Sequence, residues 1–548
     1  MLTRADTYDE VCRLMSWQIP ERFNMGVDVC DKHARSRPDA VALIVEDEDG
    51  QTVEYTFRAL QQLSNRLANV LVGSGLERGD RVGILMSQSV EAAVSHIAAW
   101  KAGLISIPLF TLFGEDALEF RLADSGARAL ITDAVNLPKV EAIRPQLPAL
   151  DLVLAVGADR RGDTARSADF WSAVDAARDT FAPVDTAAEE PGLIIYTSGT
   201  TGNPKGALHA HRSLLGHLPA VEFFNDLFPE PGDRMWTPAD WAWIGGLMNV
   251  LMSSWHHGVT VVAHRARKFD PEAALALMAR HGIRNTFMPP TALRLLRQAE
   301  PAIARYGCGL RTLTCAGEPM GAELLAWSRE FLGITPNEYY GQTECNLVVA
   351  NCARLMPVKP GSMGRPVPGH DVRVIDDDGQ PLPASTVGQI AVRRPDPVMM
   401  LEYWRNPEAT RAKFTGDWLR TGDEGHTDED GYVWFLGRDD DVITSAGYRI
   451  GPGEIEDCLG KHPAVALAAV VGVPDALRTE VVKAFILPRP GTDVTPALET
   501  EIRDYVKTRL SPHEYPRIIE FVEDLPMTAT GKIKRKELRH GGSTTPVA

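Results

Sequence analysis

The chain has little cysteine and pairs none of it by spacing. Seven cysteines (Cys12, Cys30, Cys308, Cys315, Cys345, Cys352, Cys458) are scattered over 548 residues, the count is odd, and no CxxC occurs. That argues against a disulfide framework or a zinc ribbon and suits a reducing, cytoplasmic setting. Long hydrophobic runs are also missing. The richest stretch, Ile97–Leu109, is broken by Lys101 and Pro108, so no membrane span is expected. The opening MLTRADTYDEVCRLMSW carries acids within its first ten residues and no continuous apolar core, unlike a secretory leader. Positive charge is the scarcer sign, 57 Lys and Arg against 73 Asp and Glu for a net charge of −16. A dedicated nucleic-acid binder is therefore not expected.

What is present is ordinary globular composition, 44% hydrophobic and 24% charged. At about 150 residues per domain, the length predicts two to four domains. Apolar β-branched runs alternate with helical patterns over the first 430 residues. Arg81–Leu85, Ala129–Thr132, Asp151–Val156, Gly192–Tyr196 and Val259–Val262 read as strands. Leu60–Leu71, Val90–Ala102, Pro271–Arg280 and Thr291–Arg297 read as helices between them. This is a layered α/β pattern with largely buried sheets. From Gly361 to Leu436 short strands punctuated by Gly, Pro and Asp predict a small antiparallel, barrel-like subdomain. After the charged break at Gly437–Asp441 an α+β pattern resumes. The expected division is an N-terminal domain over 1–438, a hinge at 439–440 and a small mobile C-terminal domain over 441–548.

The strongest local signal is Tyr196–Gly206, YTSGTTGNPKG, directly after an apolar strand pattern. Glycines let successive backbone N–H groups turn into one concavity, and Lys205 adds a full positive charge, as a polyphosphate site needs. The spacing is not that of a Walker A loop. Further on come AGEP (316–319), YYGQTE (339–344), TGD (421–423), GRDD (437–440), SAGYRIG (445–451) and TGK (530–532). Lys532 begins a stretch with five basic residues in eight, which alone would read as a solvated tail.

With these motifs in this order, nearly the whole chain resembles the AMP-forming acyl-CoA synthetases of the adenylate-forming superfamily. The medium-chain branch is the nearer match, from YGQTE and the opening Ile19–Val29 segment. The resemblance implies a ligase that joins a carboxylic acid to coenzyme A through an acyl-adenylate, with ATP and coenzyme A as substrates and Mg²⁺ as cofactor. It implies that Thr197, Ser198, Gly199, Thr200, Thr201 and Lys205 hold phosphates. Thr343 and Glu344 act at the reacting centre, with Glu344 on Mg²⁺, and Lys532 is the adenylation lysine. Gly317, Glu318, Pro319, Glu338, Tyr339, Tyr340, Asp423 and Arg438 surround adenine and ribose. A plain solvated acid is an equal reading for Glu338. Ser445, Gly447, Tyr448 and Arg449 line the pantetheine channel, and Asp440 matches the hinge, with a solvated acid as its other reading.

Acetate-specific relatives carry a tryptophan at the position of Gly341, so a longer, branched or ring-bearing acid is expected, walled by Trp241 and Trp243. Reversible acylation of Lys532 by a lysine acetyltransferase, and a homodimer, are carried over with the resemblance. Two rivals stay open: an adenylating enzyme that hands its acyl group to a carrier protein, and a nucleotide-binding relative without turnover. Asp428–Gly431 (DEDG) lacks the closing glutamate of a calcium loop. His209, His211, His256 and His257 form no metal-ligand pattern and read as surface or structural, and Cys345 as a buried structural thiol.

Overall fold

The computed structural model describes residues 2–157, 167–197, 203–264, 269–307, 309–317, 320–438, 443–526, 533 and 535–539. Two large sheets organise the N-terminal part. One has eight strands, with Arg81–Leu85, Ile105–Pro108, Ala129–Asp133, Leu152–Val156 and Pro191–Thr197 parallel at its centre. Pro191–Thr197 turns back antiparallel into Lys205–Ala210. The other has nine strands; Arg234–Trp236, Thr260–His264, Asn285–Phe287, Thr312–Cys315 and Asn337–Gln342 run parallel, and Cys345–Ala350 returns antiparallel.

Helices lie between the sheets and outside each. Phe57–Gly73, Val90–Lys101 and Ser213–Phe224 bury apolar faces in a core shared by both sheets. Their ends follow local chemistry. Thr56 and Ser89 cap the first two through side-chain oxygens, while Asp270 caps Pro271–His281, with proline in the first turn and left-handed Gly282 at the end. Glu115–Ser125 covers the outer face of the eight-stranded sheet; Pro271–His281 covers that of the nine-stranded one.

The subdomain expected over 361–436 is a five-stranded antiparallel sheet whose outer strands include Val372–Ile375 and Val433–Arg438. Its last strand runs through Gly437 and Arg438, so the charged break begins after Arg438 and not at Gly437. The C-terminal sheet pairs Tyr448–Ile450, Ile443–Ser445, Thr479–Pro488 and Val465–Asp475, with Ile518–Phe521 alongside. Its two faces divide by strand alternation. Ala468 and Val470 face helices Pro452–Gly460 and Pro496–Arg509, whereas Ala469 and Val471 face Val522, Leu525, Ile533 and Leu538.

The rejected calcium loop is an acid turn neutralised by Lys359, whose Nζ lies 2.7 Å from Asp428 and 2.6 Å from Asp430. His209 and His211 are buried rather than on the surface, at the second edge of the Pro191–Ala210 hairpin. His256 Nδ1–H donates to the Asp28 carboxylate at 2.6 Å and His257 lies 3.2 Å from Glu222. The six described cysteines are free thiols, and among the described residues no helix is long and apolar enough to cross a membrane.

Candidate active site

A cavity of about 360 Å³ opens where the two large sheets and the C-terminal sheet meet. Two antiparallel hairpins supply its polar wall. In the first, Thr197 stands opposite Lys205, at the two ends of the glycine-rich loop. Ser198, Gly199, Thr200 and Thr201 lie outside the described residues. In the second, Gln342 pairs with Cys345, so the intervening Thr343 and Glu344 occupy a tight turn aimed at the cavity.

Tyr403, beside the first hairpin, joins the two. Its hydroxyl donates to Glu344 Oε1, and the Lys205 ammonium sits 5.4 Å from its ring centroid. One carboxylate, one cation and three hydroxyls therefore converge within one wall. Among the described residues no group of three His, Cys, Asp or Glu could hold a metal ion. That donor set fits Mg²⁺ taken by a single carboxylate together with substrate phosphates, the usual magnesium arrangement.

Behind this wall, the Gln342 amide donates to Asp423 Oδ2 at 2.7 Å and to the Thr421 carbonyl at 2.7 Å. The Tyr340 hydroxyl donates to the same Asp423 oxygen. Burial, then the Asp423 charge, holds the Tyr340 hydroxyl far above its ordinary titration, so it stays a donor. Asp423 stands opposite Arg438 in the strand register, which brings the two expected ribose contacts to one rung at the backbone level.

Glu338 is 8% exposed and burial pushes its carboxyl up to about 7, so it is no solvated loop acid. A carboxyl raised in the folded state binds its proton more tightly there. Its stability contribution is full below the ordinary glutamate value and is lost as pH rises through about 7. Glu338→Gln is therefore expected to raise Tm relative to wild type at pH 8, by on the order of a few degrees. At pH 4.5 the two proteins should melt together; equal melting at both values would contradict the burial argument.

The fourth side of the cavity comes from the C-terminal domain. Ser445 pairs with Tyr448 across a two-residue turn in which Ala446 and Gly447 both have positive φ, 51° and 80°, the geometry that favours glycine at the second position. This turn faces Gly317, itself at φ 91°, where an added Cβ would come within 3.5 Å of the Gly447 carbonyl oxygen. Tyr448 stacks on His513 at 3.6 Å and packs tilted against Trp243 at 5.3 Å. Burial, then Arg478 and Arg517, pushes the His513 imidazole down to about 4. The Arg449 side chain, Glu318, Pro319, Asp440 and Lys532 lie outside what is described.

One expectation about the acyl wall is corrected, the placement of Tyr339 is revised, and Gly341 gains a second cause. Trp243 lines the cavity, but Trp241 does not: it is 2% exposed and packed in the core between the sheets. The cause is a turn at Asp240, whose carboxylate accepts from Ala242 N and whose carbonyl accepts from Trp243 N, sending one indole inward and the other to the cavity. The Tyr339 ring, expected in the adenine set, is engaged by other aromatic side chains. It stacks on Phe224 at 4.5 Å, tilts against Phe287 and sits on the Trp243 side of the cavity. Gly341 lines the cavity, yet an added Cβ would lie 2.2 Å from the Leu347 nitrogen, and Leu347 itself has φ 67°. The glycine therefore answers to a close chain crossing as well as to room for substrate.

Residues that the motifs did not reveal also line the cavity: Asn249, Phe287, Asn346, Tyr403, Lys413 and His513. Only Asn346 has a local signal, a polar side chain inside the otherwise apolar run after Glu344.

The chain matches the family model for AMP-binding enzymes over residues 30–404 and that for the AMP-binding enzyme C-terminal domain over 454–532. It is 38% identical over 553 residues to human mitochondrial acyl-coenzyme A synthetase ACSM4, covering 98% of this chain and 93% of that protein. Among solved structures it resembles the Brucella canis acyl-CoA synthetase, with TM-score 0.74 and 34% identity over 98% of this chain and 99% of that one. It also resembles the anthranilate CoA ligase AuaEII in complex with anthranoyl-AMP, with TM-score 0.72 and 31% identity over 95% and 98% of the two chains.

Proposed function

The chain belongs to the AMP-binding enzyme family and is an AMP-forming carboxylic acid–CoA ligase, and from that premise we propose that its cavity activates a short- to medium-chain, branched or ring-bearing acid. The observation that carries this reading is the shared cavity. Thr197, Lys205 and Glu344 wall one side, Trp243 and Phe287 another, and the Gly447–Tyr448 turn of the C-terminal domain closes the rest. Apolar walls between an anion-binding hairpin and a movable domain suit a hydrocarbon-bearing carboxylate held beside ATP. The relative crystallised with anthranoyl-AMP holds the adenylate of a ring-bearing acid.

In the first half-reaction, a carboxylate oxygen attacks the α-phosphorus of ATP, and the bond to the bridging oxygen breaks to release pyrophosphate. Lys205 and the hydroxyl-rich loop hold the phosphates, and holding both reactants fixes the line of attack. Mg²⁺ on Glu344 would supply charge neutralisation on the phosphate oxygens. Tyr403 orients that carboxylate through its hydroxyl. Lys532 follows the negative charge that develops on the transferring group. In the second half-reaction the coenzyme A sulfur attacks the acyl carbon, the bond to the AMP oxygen breaks, and the thiol proton leaves to solvent.

Domain alternation about Asp440 would exchange Lys532 for the 445–448 turn. Two observations support it. The turn lies against Gly317 in this structure, while Ile533, next to Lys532, packs on the opposite face of the C-terminal sheet. One face at a time can meet the cavity. The scattered, odd-numbered cysteines favour a reducing compartment, and acylation of Lys532 would silence the first half-reaction by removing its charge.

Pyrophosphate release is the test, measured from acetate through octanoate, isobutyrate and benzoate, with and without coenzyme A. Turnover that requires coenzyme A and peaks above acetate is expected. Acetate as the best substrate would contradict the open cavity, and turnover indifferent to coenzyme A would point to another acyl acceptor.

A further inference from the structure

We infer that the acid this enzyme activates carries a hydrogen-bond donor on its tail, a hydroxyl or an amino group, and that Asn346 recognises it. The inference rests on the ligase reading above and specifies the substrate class of the same cavity.

The orientation of Asn346 is set from behind. His217 is fully buried, and its Nδ1 lies 2.6 Å from the Ser213 carbonyl oxygen. A carbonyl only accepts, so the ring proton sits on Nδ1 and Nε2 keeps its lone pair. Burial pushes this imidazole down to about 4, which keeps it neutral near pH 7. The Asn346 Nδ2 lies 3.0 Å from that lone pair and 2.7 Å from Asn249 Oδ1, so both of its protons are already used. Swapping the amide would set its oxygen against two acceptors. Asn346 Oδ1 is therefore fixed as the outward atom, an acceptor only.

That oxygen makes no hydrogen bond among the described residues, and it is not among the fully enclosed polar atoms that lack a partner. Asn346 is 5% exposed and lines the cavity, so the surface it keeps open faces the substrate. Asn249 lines the same wall and donates to the Tyr339 hydroxyl at 3.3 Å. The polar spot adjoins Gly341, whose added Cβ would stand 3.0 Å from the Asn346 Cα, with Phe287 and Trp243 as apolar surroundings. A plain hydrocarbon laid over Oδ1 would strip its water and return nothing, whereas an O–H or N–H on the tail restores the bond. A tail presenting only an acceptor would meet the oxygen's lone pairs and be disfavoured.

The test compares kcat/KM within pairs of acids that differ by one group: each hydroxybenzoate and aminobenzoate against benzoate, and 6-hydroxyhexanoate against hexanoate. In the wild type at least one donor-bearing acid should exceed its parent by about tenfold to a hundredfold. Asn346→Leu should bring that ratio to one or below, the ratio being the readout whatever the variant does to turnover of the parent. A merely structural role would lower both members together and leave the ratio unchanged, which would overturn the inference. So would parents that outperform every donor-bearing partner in the wild type, a comparison that needs no variant to fold. Turnover of the parents alone would leave the ligase reading standing; absence of coenzyme A-dependent turnover from every acid would overturn both.

Discussion

Lys532→Ala should lose acyl-adenylate formation by about 10²–10³-fold while leaving thioester formation from supplied acyl-adenylate within a few fold of wild type. The asymmetry follows from when charge appears. Negative charge builds on the transferring phosphoryl group only in the first half-reaction, and a lysine at the end of a flexible stem is a mobile point charge suited to follow it. Nothing in the second half-reaction, sulfur attack on an acyl carbon already activated by AMP, calls for that cation. Ile533 packs with Ala469, Val471 and Leu538 on the face of the C-terminal sheet away from the 445–448 turn, as the proposed alternation calls for. Rapid-quench measurement of the two half-reactions reads this directly, and equal losses in both would contradict the role given to Lys532.

Gly114→Ala should show the opposite pattern. Gly114 precedes helix Glu115–Ser125 in an extended conformation, φ −77° and ψ 178°, which any residue adopts. The backbone therefore tolerates alanine, but the docked C-terminal domain does not. An added Cβ would lie 2.2 Å from the Arg509 carbonyl oxygen and 2.3 Å from that of Thr508, both backbone atoms that cannot swing aside. The Gly114 N–H also donates to the Leu510 carbonyl, so helix Pro496–Arg509 ends directly against this site. Displacing that helix end displaces Tyr448 and His513 from the cavity, because Tyr448 stacks on His513 just beyond it. Thioester formation is expected to fall by about tenfold or more, since misplacement on the order of an ångström is enough to cost that much. Adenylate formation should change by less than about threefold, because the proposed alternation gives it the other domain orientation. A variant that lost both halves equally would show that Gly114 is needed for the fold itself.

The exposed ion pairs at the same junction are weaker handles. Asp116 meets Lys461 at 3.3 Å and Arg509 at 3.4 Å across the interface. Solvated pairs of this kind contribute little individually. Steric fit at Gly114 therefore governs the docked state more than charge does.

Much of this site was legible because its parts are local. The Thr197–Lys205 pairing, the Thr343–Glu344 turn and the Ala446–Gly447 turn each join residues close in sequence, and the short motifs around them marked their positions. Strand and helix positions in the α/β layers came from hydrophobic periodicity, with ends shifted by a few residues where capping residues such as Thr56 extend a helix. The parts that escaped are pairings between distant segments. Asn249 and Asn346 meet across 97 positions, and Tyr403 reaches Glu344 across 59. No periodicity signals such contacts. Both Trp241 and Trp243 were expected at the acyl pocket, with Trp243 the favoured lining residue, and the Asp240 turn sends only Trp243 there. Gly341 looked like a statement about substrate size, and the crossing of Leu347 gives it a second, backbone reason. Asp428 looked like part of an ion site by composition, and Lys359 from a remote loop neutralises it.

The central claim is that one cavity runs two reactions in sequence, joined by an acyl-adenylate. It is tested most directly by mixing wild-type enzyme with ATP, Mg²⁺ and a turned-over acid, quenching, and then repeating with coenzyme A added after a delay. The account predicts that acyl-adenylate and pyrophosphate form in equal amounts before coenzyme A is present, and that on its addition the adenylate disappears into equal amounts of acyl-CoA and AMP. Adenylate that persists in the presence of coenzyme A, or acyl-CoA that forms without a prior adenylate, would contradict it.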